Sequence, residues 1–299
     1  MQDFLARIFL TLMTIWLWQG IAHAGENIRV PFVRYETNEK FVRTGGVWGW
    51  TTRFQNGAPE EHGKISDNGF LKAELFLPRG KGPFPVVVLM HGCGGMDAIA
   101  HKWASQWTAY LTALNIGTLV LDSFTTRGVR LTCGSPDAYW SRRRVDDAYS
   151  ALDLLVARSE IKSNHIYVMG RSNGGRAVLN ILQSDYRSMR TNMFAGGVSL
   201  YGHCEARREA NFYSPLLLLT AEQDDANPAV FCRQLADHKR AADHPEIVFV
   251  SYAGAFHGFD DGSPIRKFNG WRMGGNAAAA ADARRQVRQF LIRRGAIAQ

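Results

Sequence analysis

The stretch His165-Ile166-Tyr167-Val168-Met169-Gly170-Arg171-Ser172-Asn173-Gly174-Gly175-Arg176-Ala177-Val178-Leu179 constrains this chain more than any other. An apolar run of strand type ends at Gly170, and a helix-compatible segment follows the turn-forming residues after it. Gly170-Arg171-Ser172-Asn173-Gly174 fits G-x-S-x-G, the pattern that sets a serine on a sharp strand-to-helix turn. Such a turn strains the serine backbone, so small residues two positions to either side must make room for it. The hydroxyl is pushed out above the sheet, and the helix N-terminus behind it favours a developing negative charge. Five residues alone are a weak signal in a chain with 29 glycines. The rest of the chain has to supply a base, an acid and an oxyanion hole.

The surrounding pattern is an alternation of strands and helices. Leu71, Ala73, Leu75 and Leu77 alternate with more polar residues, as in a half-exposed strand. Pro83 and Pro85 punctuate the chain before Val86-Val87-Val88-Leu89-Met90, a continuous apolar run expected of a strand buried on both faces. Further strands are expected over residues 117–121, 165–169, 195–201, 216–220 and 247–252. Helices are expected over 103–114, 142–158, from Ser172 onward, near 228–241 and over 279–293. Repeated units of this kind imply a mainly parallel sheet covered on both faces, an α/β fold. No linker or internal repeat divides it, so residues 25–299 read as one domain. Residues 25 to about 66 read as irregular. Within them Gly45-Gly46-Val47-Trp48-Gly49-Trp50 is too glycine-rich for a helix and looks like a turn whose tryptophans cover an edge of the main domain.

The first residues read differently. Arg7 precedes an apolar run from Ile8 to Ile21, and Ala22-His23-Ala24 places small residues at the cleavage-determining positions. This is the pattern of a secretory signal cut after Ala24, which implies a secreted or periplasmic protein. The run is shorter than the ~20 residues a spanning helix needs, so no stable membrane insertion is expected after cleavage. Export would place Cys93, Cys133, Cys204 and Cys232 in an oxidising compartment. Their spacings match no zinc pattern. Two disulfides in any of three connectivities, or four buried thiols, are compatible with the sequence; pairing Cys93 with Cys133 and Cys204 with Cys232 would join loops at the ends of neighbouring strands. The net charge of +8 includes Arg142, Arg143 and Arg144 and a C-terminal group of arginines. In the latter, Val287, Phe290 and Leu291 stand at helical spacing, so the arginines form the wet face of an amphipathic helix. No nucleic-acid-binding module or interleaved aromatics accompany the charge, which argues against a nucleic-acid partner.

In a mainly parallel sheet, functional residues gather beyond the C-terminal ends of the strands. His91-Gly92-Cys93-Gly94-Gly95 follows the strand at 86–90 and is a glycine-rich turn whose N–H groups could approach a substrate oxygen. Ala221-Glu222-Gln223-Asp224-Asp225 follows the strand at 216–220, and Phe256-His257-Gly258-Phe259 follows the last strand. Ser172, Asp224 and His257 thus occur in the order nucleophile, acid, histidine. His91, His203 and His238 are rival histidines, and Asp225 is a rival acid, but only His257 lies after the last strand.

On these residues the chain resembles the α/β-hydrolases of the dienelactone hydrolase family over most of residues 67–294. The motifs that carry the resemblance are His91-Gly92-Cys93-Gly94-Gly95, Leu121-Asp122-Ser123-Phe124-Thr125-Thr126-Arg127-Gly128, the Ser172 elbow, Glu222-Gln223-Asp224-Asp225-Ala226-Asn227-Pro228 and Phe256-His257-Gly258-Phe259. The resemblance implies an α/β-hydrolase fold without a large lid, and the short interval between Tyr201 and Pro215 agrees. It implies a Ser172-His257-Asp224 triad, because the family places its acid at the first aspartate of this motif. Asp225 would then serve the loop or cap a helix. The oxyanion hole would be the N–H of Asn173 with that of Cys93 or Gly94. The reaction would be hydrolysis of a small-molecule ester, lactone or thioester with no metal or organic cofactor. Dienelactone hydrolases use cysteine as nucleophile where this chain has Ser172, so dienelactone itself is not implied as substrate. Arg127 matches in position an arginine that binds substrate carboxylate in those enzymes, which implies an anionic substrate; a structural salt bridge is the other reading. Arg171, next to the nucleophile, is a second pocket candidate, and Asp122 reads as structural. Acyl transfer or peptide cleavage by the same triad, or a catalytically silent hydrolase fold used for binding, are the alternatives.

Overall fold

The computed structural model describes residues 25–31, 40–44, 47–51, 69–133, 138–187, 190–205, 210–238 and 245–297. The expected signal segment 1–24 lies outside the described residues, as do the side chains of Trp48 and Trp50. The centre of the fold is an eight-stranded sheet. Its strands are β1 (Glu26–Pro31), β4 (Phe70–Phe76), β5 (Phe84–Met90), β6 (Gly117–Asp122), β7 (Ile161–Arg171), β8 (Gly197–Leu200), β9 (Leu216–Ala221) and β10 (Ile247–Tyr252). Their spatial order is β1-β4-β6-β5-β7-β8-β9-β10. β1, β4 and β6 pair antiparallel, and every pair from β6 to β10 is parallel. Two antiparallel hairpins stand apart from the sheet: β2 (Lys40–Thr44) with β3 (Val47–Thr51), and β11 (Arg266–Phe268) with β12 (Trp271–Met273).

The central parallel strands are mainly apolar where both faces are covered, whereas β7 opens with the polar residues Lys162 to His165 and β10 at the edge is half-buried. Alternate residues serve opposite sides. Val86, Val88, Met90, Ile166, Val168, Leu216 and Leu218 pack against α2 (Ala138–Val156), α3 (Asn173–Ile181) and α5 (Ala229–His238). Val87, Leu89, Tyr167, Met169, Leu217 and Leu219 pack against α1 (Ala98–Ala113) and α6 (Ala277–Arg293). A one-turn helix, α4 (Ser184–Arg187), follows α3. α6 buries Val287, Phe290 and Leu291 and exposes Arg285, Arg288 and Arg293, as its spacing predicts. β4 shows the expected alternation, with Leu71, Ala73 and Leu75 inside.

The structure corrects the reading of residues 25–66 as irregular. Glu26–Pro31 pairs with β4 along its length and buries Ile28 and Val30, and residues 40–44 and 47–51 pair as antiparallel strands. Two apolar residues in a six-residue edge strand are too short a period to stand out in a sequence. The β11–β12 hairpin escaped notice for the same reason.

Both disulfides are formed, Cys93 with Cys133 and Cys204 with Cys232. The second fastens the loop after β8 to α5, the helix that follows β9. Because it closes a loop across 28 residues of sequence, its removal in a Cys204→Ala/Cys232→Ala variant is expected to lower the free energy of unfolding by about 3 kcal/mol. Urea titration of the two proteins measures this difference.

Candidate active site

The turn after β7 is as tight as the motif demands. Ser172 has φ 53° and ψ −118°, outside the regions a non-glycine residue prefers. A Cβ at Gly170 would fall on the Gly174 backbone, and one at Gly174 would stand 2.6 Å from the His91 carbonyl oxygen. The start of α3 therefore rests directly on the ends of β5 and β7. The Ser172 N–H donates to the Leu200 carbonyl at 2.9 Å, which anchors the turn to β8 as well.

The strand ends bring Ser172, His257 and Asp224 together. His257 Nε2 lies 2.8 Å from Ser172 Oγ, and His257 Nδ1 lies 2.8 Å from Asp224 Oδ2. With a carboxylate at Nδ1, that nitrogen carries the proton, and Nε2 accepts from the serine hydroxyl. Asp224 is buried and its other oxygen accepts from the N–H groups of Ala226 at 2.9 Å and Asn227 at 2.8 Å, so its orientation is fixed. The geometry separates the two aspartates. Asp225 is on the surface in an ion pair with Arg272 of β12, whose Nε donates to Oδ2 at 2.9 Å. Those hydrogen bonds hold the Asp225 carboxyl below its ordinary pKa. It caps no helix; it fastens the β11–β12 hairpin to the loop after β9.

His257 is held from three sides. Its carbonyl accepts from the Gly274 N–H at 2.9 Å, and its backbone bridges to Met273 at the end of the hairpin. The Tyr201 ring stands edge-on to the imidazole with centroids 4.8 Å apart. Tyr201 in turn donates its hydroxyl to Asp260 Oδ1 at 2.6 Å, while Trp103 and Trp107 of α1 donate to Asp260 Oδ2 at 2.9 and 2.8 Å. A buried carboxylate with three donors ties the histidine loop to α1. The sequence reading missed Asp260 and Tyr201; the clue was an Asp-Asp pair immediately after Phe259.

The glycine-rich loop after β5 faces the serine. Its Cys93 is bonded to Cys133, and the Cys93 carbonyl accepts from the Thr132 N–H at 2.8 Å, so the loop is tied twice to the segment before residue 134. Asn173 opens α3, where the helix itself supplies no carbonyl for its N–H. A cleft of about 220 Å³ runs between these walls. Ser172, His257, Cys93, Gly94, Asn173 and Arg171 line it, and Phe268, Trp271 and Met273 of the hairpin form an apolar side.

The remaining candidates divide. His91 is buried with Nδ1 donating to the Gly92 carbonyl at 2.7 Å and Nε2 accepting from the Ser123 N–H at 3.2 Å. Burial, followed by the Arg144 charge, pushes its pKa down to about 3. It is a neutral strut between two strand ends. His203 borders the cleft but pairs with Glu205 at 3.0 Å, and His238 ends α5. Asp122 Oδ1 accepts from the N–H groups of Phe124 and Thr125 and shapes the turn after β6. Arg127 has to be corrected. It is buried away from the cleft, its Nη1 and Nη2 donate to the two Asp147 oxygens at 2.8 and 2.6 Å, and Nη1 also donates to the Ser123 carbonyl at 2.7 Å. With the guanidinium turned to Asp147, it offers no face to a substrate carboxylate. Arg171 does reach the cleft, where its Nη2 stands 3.5 Å from Asp261 Oδ2 and its guanidinium lies over the rings of Trp103 and Tyr201. Arg144, read in the sequence only as part of the net charge, is fully buried on α2.

A family model described as the dienelactone hydrolase family matches residues 71–294. A search of curated proteins returns no match. Among solved structures, a dienelactone hydrolase-like promiscuous phosphotriesterase from metagenomic libraries is similar at a TM-score of 0.61 and 17% identity, over 90% of this chain and 98% of the other. A thermophilic esterase of the Planctomycetes species Thermogutta terrifontis, solved with propionate bound, gives 0.59 and 16% over 79% and 94%. A dienelactone hydrolase from Anabaena variabilis gives 0.56 and 15% over 91% and 99%. At these identities the likeness is one of fold.

The depressed His91 pKa has a consequence for stability. Unfolded, the imidazole titrates near 6.5; folded, it stays neutral to about 3. Between these values the unfolded chain binds the extra proton, so stability falls as pH falls from 6.5, by about 1.4 kcal/mol per unit from this group. Melting temperatures across that window are expected to fall less steeply in His91→Gln, whose amide can replace both hydrogen bonds without titrating.

Proposed function

The chain belongs to the dienelactone hydrolase family, whose members are hydrolases of ester bonds, and on that premise we propose that it is an exported serine hydrolase working through an acyl-enzyme on Ser172. Its substrate would be a small carboxylic ester, lactone or thioester. The observation that carries this reading is the unbroken relay from Asp224 through His257 to Ser172, with both links at 2.8 Å. The serine hydroxyl becomes a nucleophile when a base takes its proton, and His257 Nε2 is in place to do so. As Oγ bonds to the carbonyl carbon, the carbonyl oxygen gains negative charge between the N–H groups of Asn173 and Cys93 or Gly94. The imidazolium then gives its proton to the leaving oxygen or sulfur and the acyl–heteroatom bond breaks; the alcohol or thiol departs, or in a lactone the ring opens and the hydroxyl stays on the acyl chain. Water repeats the sequence against the acyl-enzyme, releasing the acid and restoring the Ser172 hydroxyl. Asp224 fixes the histidine tautomer and stabilises its charged form. The apolar side of the cleft at Phe268, Trp271 and Met273 suits an apolar acyl or alcohol group.

Export rests on the signal pattern of residues 1–24 and is supported by the two closed disulfides, which belong to an oxidising compartment. Among the described residues no helix is long and apolar enough to cross a membrane. Residues 25–299 would form a single hydrolase domain.

Hydrolysis of a short-chain p-nitrophenyl ester, with fluorophosphonate labelling alongside, tests the mechanism. The wild type is expected to turn over and to label, and Ser172→Ala to lose both. Asp224→Asn should lower kcat on the order of 10⁴-fold, whereas Asp225→Asn should leave it near the wild type. A folded wild type that neither labels nor turns over any ester sinks the reading. N-terminal sequencing of protein recovered outside the cytoplasm should begin at Gly25; an intact Met1 terminus there would sink cleavage, and protein confined to the cytoplasm would sink export.

A further inference from the structure

The two walls of the oxyanion hole are joined by a residue that belongs to neither. One wall is the loop that begins at His91, and the other is the start of α3 at Asn173. The β5–β7 ladder connects their supporting strands only as far as the pair Met90–Gly170. Beyond that pair Arg144, reaching from α2, takes over. Its Nη2 donates to the His91 carbonyl at 2.6 Å, and its Nη1 donates to Asn173 Oδ1 at 2.6 Å. His91 stands two residues before Cys93, and Asn173 itself bears one of the two N–H groups. A guanidinium is planar, with its two Nη atoms at a fixed spacing, so acceptors bound to both are held at a fixed separation. It also keeps its charge wherever it is buried, and in a dry site that charge acts strongly on any negative charge forming nearby. Its field already depresses the ionisation of His91.

The geometry points to Arg144 as the positioning residue of the oxyanion hole. It sets the distance between the N–H groups of Asn173 and Cys93 or Gly94, and it holds a positive charge behind them. This inference rests on the serine hydrolase reading above and deepens it. A residue that merely packed α2 against the sheet would affect stability when replaced, but not the rate of the folded protein.

The test uses the purified protein with a p-nitrophenyl ester and, beside it, a trifluoromethyl ketone, which forms a tetrahedral adduct with an activated serine. Asn173→Ala removes one arm of the clamp and keeps the main-chain N–H. Arg144→Lys keeps the charge but not the fork, and Arg144→Met removes both. The expected loss in kcat is about tenfold for Asn173→Ala and Arg144→Lys and about a hundredfold for Arg144→Met, with KM within about twofold. Ketone affinity should fall by the same factors, and adding Asn173→Ala to Arg144→Met should cost nothing further. If Arg144→Met does not fold, the two milder variants decide. Wild-type kcat and ketone affinity in folded Asn173→Ala and Arg144→Lys overturn the inference while leaving the hydrolase intact, and so does a loss confined to KM. A wild type without turnover or labelling removes the hydrolase and the inference together.

Discussion

Everything at this site depends on how closely the backbone of α3 approaches the ends of β5 and β7. That approach is possible because Gly170 and Gly174 have no Cβ: either methyl would collide with main-chain atoms of the neighbouring element. The same contact forces Ser172 to a positive φ, a conformation that costs of the order of 1–3 kcal/mol and survives only where its surroundings over-determine it. Here they do. The Ser172 N–H is bonded to β8, its carbonyl accepts from the Arg176 N–H at 2.9 Å, and the sheet on either side is buried. The hydroxyl is thereby held at a point set by the rigid part of the fold.

The groups that meet Ser172 come from loops, and a loop has no ladder to fix it. Each is immobilised by a different device. The glycine-rich loop after β5 is closed covalently through Cys93–Cys133. The acid is fixed by two N–H groups of its own turn. The histidine loop leans on Tyr201 and, through Asp260, on the two indoles of α1; its far side is pinned by the hairpin that Arg272 ties to Asp225. Buried carboxylates and guanidiniums are expensive unless their partners are in place, so they define positions more sharply than apolar contacts do. It follows that the polar network here sets geometry, while the two apolar layers on the faces of the sheet supply the stability.

What the sequence made legible follows the same division. Strands buried on both faces announce themselves as apolar runs, and helices with one wet face announce themselves by period. Strands β5 to β10 and the five helices longer than one turn were therefore readable, though β7 begins at Ile161, earlier than its apolar run shows. Strand ends carry the chemistry in this topology, which made Ser172 and His257 legible by order, while the choice of Asp224 over Asp225 came from the family resemblance. Side-chain partnerships were not legible. Arg127 and Asp147 are 20 residues apart on different elements, and nothing local marks them as a pair. Arg144 follows two other arginines and entered the sequence reading only as part of the net charge. Yet it precedes Ala148 by four and Ala151 by seven, which puts it on the apolar stripe of α2. A charged residue at a core position was the available signal.

The reassignment of Arg127 changes what the positive charge near the nucleophile is for. An arginine that grips a substrate carboxylate holds ground state and transition state alike, which lowers KM and leaves kcat unchanged. Arg127 is committed to Asp147, and Arg171 has Asp261 beside it, so neither stands as an unopposed cation in the cleft. Arg144 differs in kind. It is bound to the His91 carbonyl and the Asn173 amide oxygen, and in the proposed reaction it would meet the substrate only through the N–H groups it positions. In the proposed reaction the carbonyl oxygen is neutral on arrival and charged at the tetrahedral stage, so a cation in that place acts on the difference between the two. Charge deployed this way favours rate over affinity and leaves substrate selection to the shape of the cleft, including the apolar face of the β11–β12 hairpin.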